Sequence, residues 1–297
     1  MKKLVALLLA GVMTLGIAAY ADETIEEMPI TISRAEENEY PVTIGTVEAV
    51  EADASAVTVK TESGVYDELV ANMDISTAVL SASGEYLADG IKVGDKVAVY
   101  HSDAVTMSLP AQSYAYAVIV LDDSDKMPAY IRINDVQKNG DDYVIASTGG
   151  KYEFTAVKET SVVPYLTKNI VKAQDLKAGD GVLVWYDVIT MSLPAKATAE
   201  KIMVVNPAVE TEELEGTAMI TLRDVAEKLG AEVLWDAETN TASVTLDGRV
   251  CSFTIGSKDI VADGEKVEAE FAPVLHNDRT MVSADLFENL FAVNLAR

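Results

Sequence analysis

The sequence predicts a mainly β chain: two duplicated small antiparallel β-barrel or sandwich units, followed by a C-terminal α+β module. Three observations predict it. Short β-branched runs recur between clusters of Gly, Asp, Asn and Ser. A stretch of some thirty residues repeats at a distance of 84–85 residues, and six contiguous residues, TMSLPA, are identical in both copies at 106–111 and 190–195. After position 215 the pattern changes to a short helical period followed by alternating strands.

Composition bounds the function. The chain has 297 residues, 23 Lys and Arg against 48 Asp and Glu, and a formal net charge of −25. An excess of acid this large argues against nucleic acid, because phosphate contact needs clustered Lys and Arg. Hydrophobic residues make up 49% of the chain, enough to bury cores. One Cys excludes an intrachain disulfide framework. Two His and one Cys are too few for the usual zinc or copper sites, so no metal and no cofactor is expected.

The N-terminus reads as an address. Met1-Lys2-Lys3 is a basic start, 4–18 is apolar, and Ala19-Tyr20-Ala21 precedes Asp22 as an A-x-A-like cleavage site. That order predicts a secretory signal peptide at 1–21. No second apolar run is long enough to span a bilayer, and the lone Cys251 is not at the cleavage site to take a lipid. The expected location is extracellular, free or held non-covalently at the cell wall. Cys251 lies in an alternating stretch and reads as a buried small hydrophobe.

A linker at 22–40 leads to the repeated units, 41–123 and 127–206. Each opens with β-branched segments, at 42–47 and 56–59 in the first, and at 130–133 and 143–145 in the second. Each then carries Gly-Asp before an apolar strand, Gly94-Asp95 and Gly179-Asp180, which reads as a turn. Strands of this length and spacing suit a five- or six-stranded barrel resembling the OB class. Pro110 and Pro194 cannot donate to a ladder, so TMSLPA ends a strand or forms a loop. Two roles are open to it. Met107, Leu109, Met191 and Leu193 plug the barrel ends, which is the favoured expectation, or they form a pair of exposed contact loops that grip a partner or a glycan.

A linker at 207–215 separates the final module, 216–297. Leu222, Val225, Ala226 and Leu229 fall on one helical face, with Thr221 as candidate N-cap, Asp224 at the capping-box position and Gly230 as stop. Strands follow at 231–235, 241–246 and 249–255, with Asp247-Gly248 as a hairpin signal. Leu286, Phe287, Leu290 and Phe291 supply a second apolar helix face. The residues Met219, Leu222, Arg223, Leu229, Gly230, Val233, Trp235, Asp236, Arg279, Thr280, Met281 and Val282 resemble the pattern of the copper amine oxidase N-terminal-like domain. The same module is called the stalk domain in many secreted proteins of Gram-positive bacteria. The resemblance implies a compact α+β fold. It implies neither copper nor oxidation, which belong to a separate catalytic domain with clustered His. This chain departs from the pattern at Thr221, at Ser283-Ala284-Asp285, and at Phe291, where the second helix normally ends in Gly.

The remaining candidates are weak. His101 is replaced by Tyr186 in the second copy and reads as a packing slot; His276 stands in a polar turn. Asp122-Asp123-Ser124-Asp125 reads as an acidic linker rather than a Ca²⁺ loop. No nucleophile elbow, phosphate loop or metalloprotease motif is present, so no catalytic residue is assigned. The expected function is a secreted, non-enzymatic envelope protein that binds or spaces, with a cell-wall polymer or another envelope protein as partner. The alternatives are a wall-polymer hydrolase using paired carboxylates, and an acidic Ca²⁺-responsive matrix protein.

Overall fold

The computed structural model describes residues 39–63, 66–122, 127–167 and 171–295. The expected signal peptide at 1–21, most of the expected linker at 22–40 and residues 123–125 of the acidic run lie outside the described residues.

The first unit contains β1 (Val42–Val50), β2 (Ala56–Ser63), β3 (Glu68–Asn72), β4 (Ala78–Ser81), β5 (Lys96–His101) and β6 (Ala111–Val120). They pair in the order β3-β2-β1-β5-β6-β4, and β3 also pairs with β6. That extra pairing closes a five-stranded barrel, β1-β2-β3-β6-β5, leaving β4 as a flap on β6. The closing pair is parallel, Leu69 facing Ala111. The barrel is therefore not purely antiparallel: β3 and β6 are separated by a long crossover, and that connection permits a parallel pair. This is the strand order of an OB barrel. The interior is filled by Val47, Val57, Val59, Leu69, Val97, Val99 and Val118 with small Ala between them.

The second unit repeats this arrangement. It contains β7 (Ala129–Asn139), β8 (Asp142–Ser147), β9 (Tyr152–Ala156), β10 (Ser161–Pro164), β11 (Gly181–Ile189) and β12 (Ala195–Asn206). The order is β10-β12-β11-β7-β8-β9, closed by a parallel β9–β12 pair. Registers agree residue by residue. Val97 faces Val120 in β5–β6, and Val182 faces Val204 in β11–β12. Ala78 faces Ala117, and Ser161 faces Lys201. The Gly-Asp turns also match. Gly94 and Gly179 have φ of 93° and 89°, a region open to Gly at no steric cost. Asp95 and Asp180 each accept a backbone N–H three residues back, from Lys92 at 2.8 Å and Lys177 at 3.0 Å.

The two barrels share a core. Ala98, Tyr100 and Ile119 of the first join Leu183, Trp185 and Met203 of the second in one buried cluster. Positions that correspond in the repeat therefore meet. β5 and the first half of β11 are buried on both faces, one toward their own barrel and one toward the other. Such strands read as unbroken apolar runs, here VAVY and VLVW. Hydrogen bonds stitch the seam. Trp185 Nε1 donates to Ala82 O at 2.7 Å, Asn206 Nδ2 to Ser76 O at 3.1 Å, and Val79 N to the Tyr165 hydroxyl at 3.0 Å. Tyr86 stacks on Tyr165, and Tyr116 on Tyr130, each with ring centroids 5.1 Å apart.

The C-terminal region has two sheets and two helices. β13 (Thr211–Leu214), β14 (Thr217–Thr221), β20 (Val274–His276) and β21 (Arg279–Ser283) form one sheet in the order β13-β14-β21-β20. β15 (Glu232–Asp236), β16 (Thr241–Leu246), β17 (Arg249–Thr254), β18 (Asp259–Ala262) and β19 (Glu265–Glu268) form the other, a plain meander. α1 (Leu222–Lys228) and α2 (Ala284–Phe291) bury Leu222, Val225, Phe287 and Phe291 in the core with Phe253 and Cys251. Asp247 and Gly248 both have positive φ, which fits the hairpin signal. The N-cap expectation at Thr221 is corrected in part. Thr221 does stand at the N-cap position of α1, but its hydroxyl makes no cap bond and instead donates to Met281 Sδ at 3.4 Å. Ser283 does cap α2, accepting from Leu286 N.

This region is tied to both barrels. Asn294 N donates to Asp74 Oδ2 of the first barrel at 2.8 Å, and the linker residue Ala208 is held from both sides, its N donating to Asp180 Oδ1 of the second barrel at 2.8 Å and its O accepting from Lys228 Nζ at 2.7 Å. Ile75 and Leu166 pack onto its core from the two barrels.

Candidate functional site

The duplicated TMSLPA segments occupy the same place in both barrels, the loop joining β5 to β6 and β11 to β12. The local wiring explains why Thr, Ser and Pro recur. In the first loop, Thr106 N donates to Gln112 O and Gln112 N to Thr106 Oγ1, each at 2.9 Å. Thr106 and Ser108 share a hydroxyl bond at 2.7 Å, and Ser108 Oγ donates to Pro110 O at 2.7 Å. The second loop repeats every one of these bonds. Thr190 N donates to Lys196 O and Lys196 N to Thr190 Oγ1, Thr190 meets Ser192 at 2.7 Å, and Ser192 donates to Pro194 O at 2.7 Å. Both Leu-Pro peptide bonds are cis. The frame satisfies the loop's polar groups without using the Met or Leu side chains.

Those side chains point to solvent. Met107, Leu109, Met191 and Leu193 are 103%, 98%, 95% and 83% exposed. The plug expectation is therefore corrected. The interiors of both barrels are filled by side chains of their own strands, without the loop residues. Val188 adds further exposed apolar surface beside the second loop. Acidic residues flank both tips, Asp103 and Asp187, and both are exposed.

The other candidates settle into structural roles. His101 is buried; its Nδ1 donates to Ser102 O at 2.8 Å, so Nε2 accepts from the Thr43 hydroxyl at 3.1 Å. Burial holds its pKa below the ordinary imidazole value, opposed by the bond to Ser102. His276 is half-buried and pairs with Glu212 at 3.0 Å in the C-terminal region, so the two His lie in separate parts of the fold. Cys251 is fully buried, and burial raises its thiol to about 11, with Asp263 nearby adding to the rise. Among the described residues, no group of three or more His, Cys, Asp and Glu is placed to hold a metal ion. No described helix is long and apolar enough to cross a membrane.

Sequence reasoning missed two hydrogen-bonded carboxylates, Asp180, which is buried, and Asp74, which is half-buried. Asp180 accepts Ala208 N at 2.8 Å as well as Lys177 N, where the second barrel meets the C-terminal region. Asp74 accepts Ser76 N at 2.7 Å, the Tyr114 hydroxyl at 3.0 Å and Asn294 N. Burial raises both carboxyls above the ordinary value, and the hydrogen bonds oppose it. The Gly-Asp repeat was the one available signal for Asp180. Nothing local marks Asp74.

The model of the copper amine oxidase N-terminal domain matches residues 196–296, the region that carries the resemblance read from the sequence. The match begins within β12 and runs through α2. That domain is the non-catalytic N-terminal part of copper amine oxidases. No curated protein matches the chain. Among solved structures, "drosophila Unr CSD456" is similar at 11% identity, covering 82% of this chain and 98% of that one, with a TM-score of 0.18. A score that low carries no argument, so the barrel description rests on the strand pairings alone.

Proposed function

We propose that this protein is a secreted, non-enzymatic envelope protein that grips another envelope protein through its two TMSLPA loops. One observation carries the reading: four apolar side chains, in two copies of one loop, stand exposed on frames that do not need them. Exposed apolar surface that repeats in this way points to a partner. In OB barrels the equivalent loop, between the last two barrel strands, flanks the ligand-binding face. Met adapts to irregular apolar slots, whereas the loops carry no aromatic ring or Arg fork to hold a sugar or phosphate. Acidic flanks and a net charge of −25 oppose an anionic lipid surface. The partner is therefore a protein offering apolar slots with a basic rim.

The shared core fixes the two barrels relative to each other, and each loop is held by its own hydrogen-bonded frame, which lowers the ordering cost of binding. Secretion is supported by the order of the first 21 residues, and a non-enzymatic role by the non-catalytic family of the C-terminal region. The test compares wild type with Met107→Ser/Leu109→Ser/Met191→Ser/Leu193→Ser in capture of crosslinked partners from an envelope extract. A specific partner held by wild type and lost by the variant, with melting unchanged, supports the proposal. Identical capture by both proteins sinks it. N-terminal sequencing of protein from the culture or wall fraction should begin at Asp22; recovery only from the cytoplasm removes the secretion reading.

A further inference from the structure

A groove of about 480 Å³ opens in the C-terminal region, between the free edges of its two sheets. β15 is an edge of one sheet and β20 an edge of the other. Strand alternation places Trp235 on the same face as Val233, which packs against the core. Its cross-strand neighbour is only Ala242, buried and small. The indole therefore has no large neighbour to cover it and remains 42% exposed as one wall of the groove. Leu275, 56% exposed, lines the groove from β20. Packing does not account for either exposure.

Polar groups rim this apolar floor in balanced charge. Arg223 and Arg279 line the groove together with Asp224 and Asp278, and Thr221 and Thr280 add hydroxyls. Arg279 Nη1 lies 3.6 Å from Asp224 Oδ2, and Arg223 Nη1 lies 3.2 Å from Glu227 Oε1. Planar forked donors and acceptors thus sit beside an aromatic face, and the lining charges sum to zero. In a chain as acidic as this one, that local neutrality selects the ligand. A polyanion gains nothing from guanidiniums already neutralised, and a cation meets two of them. A neutral ligand with many hydroxyls and a flat apolar ring face fits all three features.

We infer that this groove is a binding site for a neutral saccharide, with one ring stacked on Trp235 and its hydroxyls bonded to the Arg–carboxylate rim. The groove uses none of the TMSLPA residues, so the chain would hold a protein partner on its barrels and a neutral glycan on its C-terminal region. The inference stands on its own residues and does not need the loop reading.

The experiment is calorimetric titration of the full chain with tetra-N-acetylglucosamine, with cellotetraose, and with tetragalacturonate as a charged control. At least one neutral tetrasaccharide should bind saturably. Trp235→Ala should weaken it about tenfold, the loss of one stacking contact of about 1.4 kcal/mol. Arg279→Gln should weaken it by a smaller factor. Trp235→Phe guards against a folding defect: it keeps a ring, and the saccharide-induced change in tryptophan emission should vanish while Trp185 still reports an intact fold. The quadruple loop variant should bind saccharide as wild type does, which separates failure here from failure of the loop reading. No heat with either neutral tetrasaccharide overturns the inference. So does binding that is unaffected by both Trp235→Ala and Arg279→Gln, or a preference for tetragalacturonate.

Discussion

The two barrels are copies of one design, and they differ most where each meets the rest of the molecule. At the paired loops nothing has changed: the same hydroxyl bonds, the same cis peptide and the same exposed Met and Leu recur. At the Gly-Asp turns the local geometry is kept but the surroundings differ. Asp95 is half-buried and closes its own turn, whereas Asp180 is buried beneath Ala208 and also holds the start of the C-terminal region. At the seam, Tyr100 corresponds to Trp185, and the two reach across differently: the Tyr hydroxyl donates to Pro128 O at the start of the second unit, and the indole donates to Ala82 O in the first. The interior slot has diverged as well, from buried His101 to half-buried Tyr186. Parts that serve folding have drifted to suit their neighbours, while the exposed TMSLPA loops have stayed identical. This is the reverse of the usual expectation for surface loops.

The seam offers the largest test. Trp185→Ala removes a buried ring and leaves the Ala82 carbonyl without its donor. We expect a loss of about 3–5 kcal/mol by chemical denaturation. Because the core is shared, wild-type barrels should melt in one calorimetric transition, and the variant should separate them. Two independent transitions in wild type would mean that the barrels do not support each other.

The turns come next. Asp180→Ala leaves the Lys177 and Ala208 amides unpaired in a buried place, for a loss of about 1–3 kcal/mol. Asp95→Ala strips one partly solvated amide and should cost about 1 kcal/mol or less. Equal losses would remove the distinction between the copies. The raised Asp180 carboxyl also has a pH signature. Its stabilising contribution is full below the ordinary aspartate value of 3.8 and is lost as pH rises through the raised native value. Asp180→Asn should abolish that slope, measured as stability against pH.

The slots differ in titration. His101 is held neutral by burial, so its native pKa is depressed. Its stabilising contribution is full above the ordinary imidazole value of 6.5 and is lost as pH falls through the depressed native value. The second barrel, with Tyr186 in the slot, has no such group. Hydrogen exchange between those values should show β1 and β5 loosening before β7 and β11. His101→Gln keeps the hydrogen-bonding capacity and should remove the difference; a difference that persists would point to another titrating group.

Much of this was legible in the residues. β16 falls at 241–246 as its alternation predicts, α1 follows its apolar face, and Cys251 packs as a small hydrophobe. The repeat predicted two similar barrels and the registers agree. A barrel resembling the OB class was legible, but the parallel closing pair between β3 and β6 was not, because it depends on a long connection rather than on either strand's pattern. The shared core left a signal that alternation-based reading passes over: VAVY and VLVW are unbroken apolar runs, as strands buried on both faces should be. At the loops, residue type misled. Met and Leu suggested burial, and only the wiring by Thr106, Ser108, Thr190 and Ser192 shows that the loop is complete without them.

That wiring gives the smallest and most discriminating expectation. A plug would make Leu109→Ala and Leu193→Ala cost about 2–5 kcal/mol each, the usual result of emptying a packed apolar site. Side chains that are 98% and 83% exposed have no packing to lose. Each variant should therefore melt within about 0.5 kcal/mol of wild type. Thr106→Val or Thr190→Val, which break the frame bonds to the loop backbone, should cost about 1 kcal/mol although they replace a smaller polar group. The ordering, frame residue above apolar tip in both copies, is the measurable content of the structure. If the Leu variants proved the more destabilising pair, the loops would be packed against something in solution, and the tips would not be free to take a partner.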